Sequence, residues 1–207
     1  MIALIATGTG NLRNVQRAFA RLDVLTEPTA DPEIVAAARR IVLPGQGAFG
    51  DCMAALAGPL ADAIKRAVGA GTPFLGICLG MQVLFEESEE APGVAGLDIL
   101  PGEVRRLPRR HGGFPVALPH MGWNRVRFAG APAPAADAPH FYFAHSYAAV
   151  PACASDVWGT TDYGGEFVSA VRSGNVWGVQ FHPEKSHEAG ATFLREWLAA
   201  CPPKEGE

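Results

Sequence analysis

Hydrophobic positions in the first half of the chain alternate between short solid runs and spaced repeats. Ile2 to Ala6 is an apolar run that ends at the Gly8-Thr9-Gly10 turn, the pattern of a buried strand. Leu12, Val15, Phe19 and Leu22 then recur at helical spacing. Asp31-Pro32 reads as an N-cap followed by proline at the first helical position. Ile41-Val42-Leu43 is a second strand, expected to stop at Pro44-Gly45, and Leu60, Ile64 and Val68 mark a helix closed by Gly69 or Gly71. Phe74 to Ile77 is the next strand and Leu79 to Phe85 the next helix. Such alternation builds an α/β fold: three layers, with a mainly parallel central sheet covered by helices on both faces.

The second half changes rhythm. Strand-like runs occupy 102–106, 140–143, 156–161, 167–172 and 175–180, and Ser173-Gly174-Asn175 is a turn between the last two. Antiparallel additions to the sheet, or a small second sheet, are expected. Phe193, Leu194, Trp197 and Leu198 give the final helix one apolar face. Residues 129–139, rich in Ala and Pro, read as a loop, and 202–207 as a frayed tail. No internal repeat interrupts this plan, and 207 residues suit one domain spanning the chain.

Composition narrows the classes of function. A net charge of −4 gives no reason to expect nucleic acid or an anionic membrane as partner. The one basic run, Arg105, Arg106, Arg109, Arg110 and His111, is expected to be a solvated loop. No apolar stretch approaches the ~18 residues that span a bilayer, and the N-terminus lacks the pattern of a signal peptide. The four cysteines show no CxxC pair, which fits free thiols in a reducing cytoplasm. Cys52, Cys153 and Cys201 are expected to be buried small hydrophobes. His111, His120, His140, His145 and His187 lack ligand spacing, so neither metal nor cofactor is expected.

The sharpest chemical signal is Gly76-Ile77-Cys78-Leu79-Gly80, which follows an apolar strand and opens a helix. This is a nucleophile elbow with Cys in place of Ser. A Cβ at Gly76 or Gly80 would crowd the neighbouring backbone, and a helix N-terminus favours the thiolate. The Leu79 amide points to the same place and can stabilise an oxyanion. A thiol nucleophile needs a base, and His182-Pro183-Glu184 offers one. Proline holds His182 extended, so His182 and Glu184 project to one side and the carboxylate can orient the imidazole. In Leu43-Pro44-Gly45-Gln46-Gly47, Gly45 and Gly47 leave the backbone around Gln46 free to turn an amide toward an anion, or make an ordinary turn.

Taken together, these motifs resemble the class I, triad-type glutamine amidotransferases. More closely, the chain is similar to the glutaminase subunits of imidazole glycerol phosphate synthases. The narrower likeness rests on Pro119-His120-Met121-Gly122-Trp123-Asn124, on His145-Ser146-Tyr147, and on Cys78-Leu79-Gly80-Met81-Gln82 followed by Glu86-Glu87-Ser88-Glu89-Glu90. It departs from the family at Gln46, where the oxyanion strand more often carries Val, and at Ala6-Thr7, where many members carry Asp-Tyr.

The resemblance implies a flavodoxin-like fold and a catalytic triad of Cys78, His182 and Glu184. It implies that Gln82, Glu90, His145, Ser146 and Tyr147 hold L-glutamine. The partner it implies is a (β/α)8-barrel cyclase, to which ammonia is channelled for histidine biosynthesis. Asn11, His120, Met121 and Trp123 match positions near that partner. The rival readings are a glutaminase serving another synthase, a standalone cysteine hydrolase of the same fold, and a catalytically dead binding module.

Overall fold

The computed structural model describes residues 1–8, 11–130 and 137–202. The first half runs β1 (Ile2–Ile5), α1 (Leu12–Ala20), β2 (Thr26–Thr29), α2 (Pro32–Ala36), β3 (Arg40–Gly45), α3 (Phe49–Leu56), α4 (Pro59–Gly69), β4 (Phe74–Cys78) and α5 (Leu79–Gln82). Short strands β5 (Glu87–Ser88) and β6 (Gly102–Arg106) lead to the hairpin of β7 (Arg110–His111) and β8 (Phe114–Pro115). Then come β9 (His120–Arg125), β10 (Arg127–Phe128), β11 (His140–His145), β12 (Tyr147–Pro151), β13 (Val157–Asp162), β14 (Glu166–Ser173) and β15 (Val176–Val179). A 3-10 turn at Pro183–Lys185 precedes the last helix, α6 (His187–Ala200).

The main sheet has 11 strands, in the path β2-β1-β3-β4-β15-β14-β12-β6-β5, with β13 and β10 joined at β14. Strands β2 through β4 and β15 run parallel, and β14, β12 and β6 follow antiparallel. The expected parallel centre with antiparallel additions is therefore present, and a second, two-stranded sheet of β9 and β11 stands beside it.

Strand period explains the two-sided core. Ala3, Ile5, Ile41 and Leu43 pack under α2, α3 and α4 with Phe49, Leu56 and Ile64, whereas Ile2, Leu4, Val42, Leu75 and Ile77 meet Phe19 of α1 and Phe193 and Trp197 of α6. Helix starts follow local chemistry. The Asp31 carboxylate accepts from the Glu33 amide at 2.9 Å with Pro32 just inside the helix, and Pro59 opens α4. Gly71, at φ +87°, closes the segment after α4.

Several boundaries differ from expectation. Strand β3 runs through Pro44 to Gly45; the β1 ladder ends at Val42, so these two residues pair with β4 alone. Helix α5 stops at Gln82 instead of Phe85. The carbonyls of Val83, Leu84 and Phe85 are taken by amides of Leu97, Ile99, Leu100 and Asp98, which hold this segment against a returning loop. Helix α3 and strand β2 have weak apolar periodicity and were not foreseen. Arg105 and Arg106 lie on β6, and Arg110 and His111 on β7; all four are exposed, but in strands rather than a loop. Cys52 and Cys201 are buried as expected, whereas Cys153 is exposed, just before a 3-10 turn. Residues 131–136 of the Ala/Pro segment, Thr9-Gly10 of the first turn, and 203–207 of the tail lie outside the described residues.

Candidate active site

Strand β4 lies in the middle of the sheet, and Cys78 is its last residue, paired with Gly45 of β3. Cys78 has φ +55° and ψ −108°, a conformation L-residues seldom adopt and the mark of a nucleophile elbow. The flanking glycines make this turn possible. A Cβ at Gly76 would strike the Gly80 carbonyl, and one at Gly80 would strike the Leu43 carbonyl of β3. At Gly45 an added Cβ would lie 2.6 Å from the Cβ of Leu79. The sequence thus forces strand, turn and helix together, and the thiol is left at the carboxyl edge of the sheet.

His182 follows β15 and is anchored through its backbone. Its amide donates to the Tyr142 carbonyl of β11 at 2.8 Å, and its carbonyl accepts from the Ser186 hydroxyl at 2.6 Å. Ser186 in turn accepts from the Tyr142 amide at 3.0 Å, so one buried hydroxyl ties the turn to β11. The His182 Nδ1 lies 2.8 Å from Glu184 Oε1, and both side chains are only 2% exposed. Burial acts to lower the His182 pKa, but negative charge on Cys78, a hydrogen bond to that sulfur, and Glu184 outweigh it, raising the value to about 10. The sulfur on one side and the carboxylate on the other both favour a proton on the imidazole.

Cys78 and His182 border a cavity of about 420 Å³. Gln46, Gly47 and Leu79 stand on its side nearest the thiol, and Gln82, Glu90, His145, Ser146 and Tyr147 line it too. The Glu90 carboxylate accepts from the Phe49 amide at 2.9 Å, which fixes it at the start of α3. Gly45 lies behind this wall, buried against α5. With only four residues in α5, little helix dipole reaches the sulfur. What sits beside it are His182 and the amide of Gln180, whose Nε2 donates to Cys78 Sγ at 3.5 Å.

The segment around Trp123 is strand β9, and its period of two divides it. Met121 and Trp123 point out, 63% and 48% exposed. Trp123 stacks on His187, with ring planes 1° apart and centroids 5.2 Å apart. Asn11 is partly exposed at the start of α1. His120 corrects the expectation of a surface contact. It is 2% exposed, stacked between Tyr163 and Phe143 with centroids 3.9 and 4.7 Å away, because its place on β9 turns it inward.

His120 instead belongs to a buried polar chain. The Tyr147 carbonyl can only accept, so the His145 Nδ1 2.8 Å from it carries a proton, and His145 Nε2 accepts from His120 Nδ1 at 3.0 Å. His120 Nε2 is left to accept from Asn124 Nδ2 at 3.3 Å. Burial keeps both rings neutral, lowering His145 to about 3 and His120 to about 4.

Two site residues had not been singled out from the sequence: Gln180 and Ser186. Gln180 did leave a signal, a polar residue inside the apolar run from Val176 to Phe181. Ser186 left none, because a serine before a helix reads as an ordinary cap.

A family profile described as glutamine amidotransferase class-I matches residues 4–201. The imidazole glycerol phosphate synthase subunit HisH of Moorella thermoacetica is 49% identical over 95% of this chain and 93% of that protein. The subunit of the same description from Methanothermobacter thermautotrophicus is 46% identical over 96% and 98%. Among solved structures, a crystal structure described as a glutamine amidotransferase superposes with a TM-score of 0.77 at 19% identity, covering 97% of this chain and 98% of the other. One described as PurLQS from Thermotoga maritima gives 0.69 at 19% identity, over 96% and 97%, and likewise speaks to the fold. The chain thus belongs to the class I glutamine amidotransferases and, within them, to the HisH family.

Proposed function

We propose that this chain is a glutaminase that releases ammonia from L-glutamine for a (β/α)8-barrel cyclase, the two forming imidazole glycerol phosphate synthase in the cytoplasm. The observation that carries the reading is the buried Cys78–His182–Glu184 constellation, set at an elbow on the wall of a 420 Å³ cavity. The Cys78 sulfur attacks the carboxamide carbon of glutamine. The Leu79 amide and the Gly45-Gln46-Gly47 backbone stabilise the resulting oxyanion. His182, having taken the thiol proton, gives it to the departing nitrogen, so ammonia leaves and a γ-glutamyl thioester remains. His182 then takes a proton from water, which hydrolyses the thioester to glutamate. Glu184 holds the imidazole and its charge throughout.

Gln82, Glu90, His145, Ser146 and Tyr147 hold the amino-acid end of the substrate. The exposed Met121 and Trp123, beside the cavity mouth with Asn11 on α1, form the cyclase-facing surface, so ammonia leaves the cavity toward the partner barrel. The names of relatives nearly half identical over almost full length support this partner.

The test uses the complex with the cyclase and compares nitrogen sources. Cys78→Ala should abolish glutamine-dependent product formation and leave ammonia-dependent formation intact. Glutamine turnover by that variant at the parental rate would remove Cys78 from the reaction. High glutaminase activity by the chain alone, unchanged by the cyclase, would favour a standalone hydrolase.

A further inference from the structure

We propose that Gln180 is a positioning residue that takes up the second N–H of the Gln82 amide, so that the cavity meets only its oxygen, and holds a donor on the Cys78 sulfur. The inference rests on the proposed glutaminase reading and adds to it a residue outside the triad and outside the cavity lining. Gln180 is fully buried, between Val179 and Phe181, which are buried too. A primary amide in such a place needs partners for its polar atoms. Its backbone is secured first, the amide donating to the Ser169 carbonyl of β14 at 2.9 Å.

The side chain then bridges two functional groups. Its Oε1 accepts from Gln82 Nε2 at 2.9 Å, and its Nε2 donates to Cys78 Sγ at 3.5 Å. Gln82 Nε2 also donates to the Tyr147 carbonyl at 2.9 Å. The orientation of both amides follows from that carbonyl. A backbone oxygen only accepts, so Gln82 must turn its nitrogen to Tyr147. The same nitrogen faces Gln180, which must answer with its oxygen, leaving its own nitrogen for the sulfur. Flipping either amide would set oxygen against oxygen or withdraw the donor from sulfur.

The consequence for recognition is a matter of counting. Both N–H groups of Gln82 are spent inside the protein, so only its carbonyl oxygen is left for a ligand in the cavity it lines. With the Glu90 carboxylate on the same wall, the cavity offers acceptors to a cationic donor such as the α-ammonium of an amino-acid amide. Without Gln180 the Gln82 amide has a spare N–H and can present it to that ammonium, an unfavourable pairing. The sulfur loses a donor in the same stroke.

The experiment replaces Gln180 with Met, which fills the space without hydrogen-bonding. Rates of iodoacetamide alkylation are followed against pH on the full chain, and kcat and KM for glutamine are measured in the complex with the cyclase. Losing a hydrogen bond to a charged group is worth about a tenfold change in equilibrium. The alkylation midpoint should therefore rise by about one pH unit, and KM for glutamine by about tenfold. Ammonia-dependent product formation should stay at the parental level.

A merely structural role would lower the melting temperature and leave the midpoint in place. An unmoved midpoint or an unmoved KM in the folded variant overturns the inference. Gln180→Asn keeps an amide but is one methylene too short to bridge sulfur and Gln82. It stands in should the Met variant fail to fold, with shifts in the same directions. The parent supplies the control: if alkylating Cys78 leaves glutamine turnover intact, the thiol reading fails and this inference with it. If alkylation stops turnover but the midpoint does not move, only the role of Gln180 falls.

Discussion

Truncating Trp123 to Ala separates the surface role of this residue from its structural one. The indole is 48% exposed, so about half its area packs within the chain, against His187 and edge-on to Tyr142. A tryptophan buries roughly 150–250 Å² when fully covered, which leaves about 100 Å² for a partner. At ~25 cal/mol per Å² that area is worth about 2.5 kcal/mol on association, or a loss of roughly 50- to 100-fold in affinity for the cyclase. The inner half gives a loss of similar size in the stability of the isolated chain. Titration calorimetry on the variant, paired with its melting temperature, resolves the two. Ammonia should also escape at the loosened seam, so glutamine hydrolysis should exceed product formation. A large drop in melting temperature with unchanged affinity would mean that the cyclase docks elsewhere.

Other predictions follow from the same geometry. Glu184→Gln keeps the shape but loses the charge 2.8 Å from His182, so kcat should fall by at least tenfold in a folded protein; parental activity would take Glu184 out of the site. Gly80→Ala drives a Cβ into the Leu43 carbonyl and should cost at least about 1–3 kcal/mol in urea unfolding, and a neutral result would refute the close approach of α5 to β3. Stability should also fall on mild acidification. His145 and His120 are held to about 3 and 4 in the folded chain against 6.5 unfolded, so between these values the unfolded chain binds protons that the folded one refuses. Between pH 7.5 and pH 5 each should cost roughly 2 kcal/mol, while His182, whose folded value is raised to about 10, works the other way until the unfolded chain is protonated too and offsets only about 1 kcal/mol of that loss. A flat stability profile over that range would show that the two rings take up protons without unfolding.

The strand–helix alternation of the first half was legible because buried parallel strands are solid apolar runs and their helices keep one apolar face. The elbow was legible because Gly76, Cys78 and Gly80 are a local steric requirement. What escaped was set by tertiary contacts. Helix α5 ends early because a loop about fifteen residues downstream takes the carbonyls of Val83, Leu84 and Phe85. Strand β9 looks like a loop because His120, Gly122 and Asn124 are not apolar, yet the segment pairs along its length with β11 and buries His120. The burial of His120 depends on Tyr163, Phe143 and His145 arriving from elsewhere in the chain. Gln180 was visible as a polar residue among apolar neighbours, but its role appears only once Cys78, Gln82 and Tyr147 stand around it.

The central claim, a thiol nucleophile at Cys78, is tested most directly by trapping the covalent intermediate. The complex with the cyclase is supplied with glutamine, quenched in acid during turnover, and digested for mass spectrometry. The account predicts a γ-glutamyl adduct on the peptide carrying Cys78, which disappears once glutamine is exhausted and is missing in Cys78→Ala. Steady glutamine turnover with no adduct on that peptide, or with an adduct on another residue, would contradict it.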